Sequence, residues 1–151
     1  MCAVLTSPLA EPKTIPIQCK VDDRGFLYQI FGDYDHLFPK VARVYIVGNF
    51  SRGVIRGFHM HKQETKAYFL VSGTSKFVVV GDNKPPLTYM LSSRNPSVLV
   101  VPPNYYHGWI SLEDYTVLVG LSDRTLEQSL NDDNRTDPMK FGSEVWEVKN
   151  R

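Results

Sequence analysis

The chain has 151 residues, 42% of them hydrophobic, which is enough for one domain with its own core. Seventeen lysines and arginines against sixteen acidic residues leave a formal charge of +1, which argues against nucleic acid or an anionic membrane as the main partner. No apolar run approaches the roughly 20 residues that span a bilayer. Residues 1–15 lack the basic-then-apolar layout of a secretory signal, so a cytoplasmic protein is expected.

In chain order, residues 1–14 read as an arm, with Cys2 in it and Cys19 just beyond. The two cysteines have no ligand-like spacing and read as free thiols. Short β segments follow at Ile15–Cys19, Gly25–Phe31, Ala42–Phe50, Val54–His61, Lys66–Ser72 and Ser75–Val80. Four more are expected at Leu87–Leu91, Ser97–Val101, His107–Ser111 and Tyr115–Leu121. They are rich in Val, Ile, Tyr and Phe, and several alternate apolar with polar. Turn formers separate them, among them Asp22-Asp23-Arg24-Gly25, Ser72-Gly73-Thr74 and Pro102-Pro103-Asn104. Tyr34–Phe38 and Thr125–Leu130 have room for a turn or two of helix. Residues 122–151 form a polar segment with an apolar ending (Phe141, Val145, Trp146, Val148) that must pack against something. Many short strands at this spacing indicate a sandwich or barrel. The whole of 1–151 reads as a single domain with two appendages.

The chemistry concentrates in Gly57-Phe58-His59-Met60-His61-Lys62-Gln63-Glu64-Thr65-Lys66. Alternate strand residues share a face, so His59 and His61 point the same way, roughly 7 Å apart. Regular alternation would put Glu64 on the other face. His107 follows Pro102-Pro103 on a later strand, whereas His36 lies in an Asp-rich turn and reads as solvated. The His-x-His strand, the hairpin glycine Gly73 and the late Pro-to-His107 stretch together resemble the cupin superfamily. That resemblance implies an all-β, cupin-type double-stranded β-helix, a jelly-roll barrel. Metal-binding cupins carry a glutamate where this chain has Lys66, a poor ligand whose charge opposes a divalent cation. A metal-free site is therefore expected, with no cofactor; His59, His61 and His107 would be the ligands if an ion were bound.

A closer resemblance runs over residues 20 to about 148. Ile55-Arg56-Gly57-Phe58-His59, Asp23-Arg24-Gly25-Phe26, Asn49-Phe50-Ser51, Lys66 and Pro102 through His107-Gly108-Trp109 are similar, in order, to motifs of the dTDP-4-dehydrorhamnose 3,5-epimerase family. His59-Met60-His61-Lys62 is closer to the sugar 3,4-ketoisomerases. The family's catalytic tyrosine has no counterpart in Thr116–Gly120, one carboxylate position aligns with Phe77, and the carboxylate that orients the base histidine falls in a segment this chain does not reach. The resemblance implies a nucleotide-activated keto-sugar as ligand and leaves the reaction open.

Removing a proton beside a ketone needs a base that is neutral near pH 7, and the enolate formed needs a fixed positive charge. His59 is assigned as base and Lys66 as enolate partner, with His61 or His107 positioning the base or moving the proton. Arg56 and Arg24, at the family's motif arginines, are expected to grip a diphosphate. Tyr45, Tyr105 and Tyr106 are candidates for substrate contact, and Tyr45, Tyr68, Tyr105 and Tyr106 for a second acid. The leading expectation is an epimerase or 3,4-ketoisomerase acting on an NDP-4-keto-6-deoxyhexose. A metal-dependent cupin enzyme and a non-catalytic sugar-nucleotide binding module are the alternatives. Open barrel edges predict a homodimer formed by strand pairing or exchanged N-terminal segments.

Overall fold

A computed structural model describes residues 9–30, 38 and 40–151. The strands are β1 (Lys13–Pro16), β2 (Cys19–Asp22), β3 (Gly25–Tyr28), β4 (Arg43–Asn49), β5 (Ile55–Met60) and β6 (Lys66–Ser72). They continue with β7 (Thr74–Gly81), β8 (Leu87–Ser92), β9 (Ser97–Val101), β10 (Tyr105–Ser111), β11 (Thr116–Ser122) and the two-residue β12 (Asn134–Arg135). One helix, α1 (Leu126–Asn131), and a 3-10 turn at Ser143–Trp146 complete the described elements. Two antiparallel five-stranded sheets, β1-β9-β6-β11-β4 and β12-β5-β10-β7-β8, face each other as the jelly roll the sequence implied, while β2-β3 stand apart as a hairpin.

The near-continuous apolar runs follow from burial on both faces of the central strands. In β6, β7 and β9, Tyr68, Leu70, Phe77, Val79, Leu99 and Val101 point between the sheets and form the main core with Leu91, Trp109 and Leu118. Their neighbours in sequence point outward and are covered too. Ala67, Phe69, Val98 and Val100 lie under Ile17, Phe38 and Leu121, and Phe58, Val78 and Val80 lie under Trp146, Phe141 and Val145. The period-2 pattern thus hides inside a run that is apolar at every position. Trp146 stacks obliquely on Phe58 at 5.1 Å and donates its indole N–H to the Pro138 carbonyl at 2.9 Å. That is where the apolar ending of the chain packs.

Observed strand ends match the expected ones within about two residues in most cases, but the expected Ile15–Cys19 strand is divided, with β1 ending at Pro16 and β2 starting at Cys19. The candidate turn at Tyr34–Phe38 falls, apart from Phe38, outside the described residues, as do Cys2 and His36; Cys19 is a free, exposed thiol. No helix among the described residues is long and apolar enough to cross a membrane.

Candidate active site

One cavity of about 350 Å³ opens between the two sheets, lined by Tyr45, Val47, Arg56, His59, Tyr68, His107, Trp109, Leu118, Arg135 and Thr136 among others. β5 and β10 supply its floor. His107 pairs with His59 and Trp109 with Arg56, so two residues of β5 oppose the single Gly108 between them. This bulge places Arg56 and His59, an odd number of residues apart, on the same face. It requires glycine: a Cβ on Gly57 would lie 2.6 Å from the Gly108 Cα.

Three imidazoles cluster there, His59 and His107 in the cavity lining and His61 behind them, with ring centroids 4.9 Å apart for His59–His107, 5.4 Å for His59–His61 and 6.4 Å for His61–His107. His107 is buried. Its Nδ1 is 3.0 Å from the Tyr105 carbonyl and its Nε2 is 2.8 Å from the Tyr68 hydroxyl. A carbonyl only accepts, so Nδ1–H donates to it and Nε2 accepts from Tyr68. Both nitrogens of the neutral ring are thereby committed. Burial, reinforced by His59 and Lys66, holds the His107 pKa well below the ordinary histidine range. His61 is equally buried, and burial with Lys66 lowers its pKa against the pull of Glu64 and Asp133. His59 is the half-buried member, and burial, then Lys66 and His61, push its pKa down to about 3. It is a neutral base at any physiological pH.

Two carboxylates escaped sequence reasoning. Glu64 does reach the histidines, because β5 stops at Met60 and the bend over 62–65 breaks strand alternation. It is 2% exposed and lies 3.1 Å from His61 Nδ1, accepts from Ser122 Oγ at 2.6 Å and pairs with Arg43 at 3.3 Å. Asp133 is the second. Its Oδ1 lies 3.7 Å from His59 Nδ1 and 4.0 Å from His61 Nε2, and its Oδ2 accepts from Arg135 Nε at 2.7 Å. An acid beside the base histidine was expected to be missing, yet Asp133 stands there. Burial works to raise its pKa, but Arg135 and then His59 bring it below the usual carboxylate value.

Local structure explains how Asp133 arrives. Thr125 and Gln128 form a capping box that starts α1, each side chain bonding the other's backbone N–H. The helix ends at Asp132, whose Oδ2 accepts the Gln63 N–H at 2.8 Å. Beyond Asp133 the chain zips onto β5, with Asn134 opposite Met60 and Arg135 opposite His59. A signal existed in the acidic pair after a helix with a cap, but nothing local tied it to a strand some seventy positions earlier.

The remaining expected residues are placed as follows. Arg56 lines the cavity and donates to Asn49 Oδ1 at 2.5 Å and to the Gly48 carbonyl at 3.1 Å, so its partners are neutral rather than acidic. Tyr45 lines the opposite wall from β4, paired in register with Gly120. Its ring fills the space that a side chain at 120 would need. Its hydroxyl reaches toward that of Tyr68, and burial raises its pKa. Lys66 is buried 3.8 Å from Glu64 and lies outside the cavity lining, contrary to its expected contact with the enolate; burial lowers its pKa and Glu64 opposes this. Phe77, at the family's carboxylate position, is core.

Three expected substrate contacts are not brought to the cavity. Arg24 sits on the β2-β3 hairpin, its side chain 86% exposed and paired with Asp22. Tyr105, two positions before His107 on β10, is part of the core farther along the strand, its ring beside Gly81 and its hydroxyl 3.4 Å from Lys84 Nζ, and it does not line the cavity. Tyr106 faces outward onto Phe141. The expected metal set also changes: the donor atoms that converge are those of His59, His61 and Asp133, all within 4.8 Å of one another, since His107 is spent on Tyr68 and Tyr105.

A jelly-roll barrel with a strand-borne histidine cluster beneath an inter-sheet cavity defines a cupin-type protein. The family model described as FdtA: WxcM-like, C-terminal, matches residues 10–145. The chain belongs to that family. Among curated proteins it is 26% identical over 94 residues to the spore coat polysaccharide biosynthesis protein SpsL of Bacillus subtilis (strain 168). That match covers 58% of this chain and 62% of SpsL, so it spans less than two thirds of that relative. Among solved structures, dTDP-4-dehydrorhamnose 3,5-epimerase of Bacillus anthracis, with TDP and pyrophosphate bound, superposes with a TM-score of 0.80 at 22% identity, covering 98% of this chain and 91% of that one. The sugar 3,4-ketoisomerase QdtA of Thermoanaerobacterium thermosaccharolyticum, in complex with TDP, gives 0.72 at 20% identity, covering 88% and 93%. At these identities the likeness establishes the shared fold.

Proposed function

We propose that the protein is an isomerase acting on a nucleotide-activated 4-keto-6-deoxyhexose, by removing a proton beside the ketone and returning it elsewhere. One observation carries this reading: His59 and Tyr45 line a single cavity from opposed sheets, a neutral base facing a phenol. The Asp133 carboxylate, 3.7 Å from Nδ1, favours the ring proton on that nitrogen by its charge and leaves His59 Nε2 as the base. Abstraction at C3 gives an enediolate, whose oxygen at C4 is stabilised by the Tyr45 O–H and the positive field of Arg135 and Lys66. Return of the proton to C3 from the far side gives an epimer. Delivery to C4, with the O3 proton passing to O4, gives the 3-keto isomer. Arg56 at the cavity rim is placed for the diphosphate.

The test is turnover of dTDP-4-keto-6-deoxyglucose followed by proton NMR. An epimerised or 3-keto product supports the reading, and unchanged substrate with bound ligand points instead to a binding module. Tyr45→Phe should lower kcat by about 10–100-fold with little change in KM, because the phenol acts after binding. Gly120→Ala, which displaces the Tyr45 ring, should reproduce that loss.

We also infer a homodimer in which the hairpin completes the site. Val21, Phe26 and Leu27 on β2-β3 are 76%, 71% and 66% exposed, and β4 is a sheet edge with Val44 and Ile46 60% and 71% exposed. Such apolar surface on an unpaired edge favours self-association. Exchange of the hairpin would carry Arg24 toward the other protomer's cavity. Sedimentation should give a dimer, and Arg24→Ala should raise KM while leaving the sedimentation coefficient unchanged; a monomer with full activity would overturn the inference.

A further inference from the structure

The donor set beside the cavity suits an ion as well as a proton. Buried polar atoms are ordinarily paired, yet both ring nitrogens of His61, Glu64 Oε2 and Asp133 Oδ1 have no hydrogen-bond partner. His61 is 3% exposed. Its Nδ1 lies 3.1 Å from Glu64 Oε2, outside hydrogen-bond geometry but close enough for the carboxylate charge to draw the ring proton to that side, which leaves the Nε2 lone pair toward Asp133 Oδ1, 4.0 Å away. The other oxygen of Asp133 is held by Arg135 at 2.7 Å, so Oδ1 is the free donor. His59 Nδ1 lies 3.7 Å from the same Oδ1. Two of the three donors are therefore oriented from behind by a charged partner, the arrangement that tunes metal ligands.

We propose that His59, His61 and Asp133 form a binding site for a zinc-class divalent ion, and that filling it switches the enzyme off. Around an ion with bonds of about 2.0–2.1 Å, tetrahedral ligands stand about 3.4 Å apart. The observed spacings close to that with shifts of about 1 Å or less per side chain. Two imidazoles and one carboxylate suit zinc, cobalt or nickel, and the fourth position opens on the cavity that His59 lines. The Lys66 ammonium, 3.8 Å from Glu64, opposes the cation, so the site suits reversible rather than permanent occupancy. Occupancy at His59 Nδ1 forces the ring proton onto Nε2, and His59 then has no lone pair to offer a substrate. Binding stands on the geometry alone; the inhibition rests on the role proposed for His59.

The test is titration of the metal-free full-length protein with Co²⁺ alone, followed by visible absorption. One equivalent per chain with the intense d–d bands of tetrahedral cobalt is expected, and Zn²⁺ should displace it. Asp133→Asn and His59→Ala, checked for folding by circular dichroism, should lose the band. No saturable binding by the wild-type protein, or an undiminished band in Asp133→Asn, would overturn the site. With the substrate turning over, Co²⁺ should abolish activity and chelation restore it; metal bound at full activity would overturn the switch. If no turnover is found at all, the absorption titration still decides the site.

Discussion

Replacing His59 by alanine should lower kcat/KM by about 10²–10⁴, the range for loss of a positioned general base. The prediction is specific because the other two histidines are poorly placed to substitute. His107 has both nitrogens engaged and is buried, and His61 sits behind His59, 3.1 Å from Glu64. The His59 side chain is 31% exposed, so its removal leaves no large cavity and the thermal midpoint should change little. Asp133→Asn should give a smaller loss, since the amide still occupies the site but no longer fixes the proton on Nδ1. Because the His59 pKa is about 3, the wild-type rate should show no inflection near the ordinary histidine value of about 6.5. A clear inflection there, or a His59→Ala variant with wild-type kinetics, would assign the base elsewhere.

The second large effect is on stability. The pKa values of His59, His61 and His107 are all lowered in the folded protein, with burial the first cause in each case. Below about pH 6.5 the unfolded chain takes up protons that the native state refuses, so stability is full above that value and falls as the solution is acidified toward the folded pKa. Each such histidine costs about 1.4 kcal/mol per pH unit in that window. Fully buried His107, held well below the ordinary range, carries the largest share, and the part-exposed His59 and the carboxylate-flanked His61 contribute less. The lowered pKa values of Asp133 and Asp132 have their effect only below the ordinary carboxylate range, a separate window. Urea unfolding should therefore lose midpoint steadily from about pH 6.5 to 5, and His107→Asn should flatten the slope while lowering stability at neutral pH. A midpoint constant over that range would mean that the histidines accept protons where they sit.

Much of the fold was legible because β6, β7 and β9 are buried on both faces and read as apolar at every position, while turn residues punctuate them. The His59–His61 pair and Arg56 were legible from strand chemistry and motif resemblance. The rest depended on events without a local signature. The bend after Met60 carries Glu64 back to His61 and cancels the parity rule. Asp133 reaches His59 through α1 and a two-residue strand. His107 drops out of any ligand set because of a tyrosine from β6. Arg24 matches a motif but stands on a hairpin that turns away from its own chain's cavity.

The most direct test is proton NMR of the protein with dTDP-4-keto-6-deoxyglucose in deuterium oxide, beside His59→Ala. Solvent deuterium is expected on a ring carbon next to the ketone, or at C4 of a 3-keto product, with the variant leaving the sugar unlabelled. Label that appears equally with the variant, or never appears while the wild-type protein holds the nucleotide sugar, would contradict proton abstraction by His59.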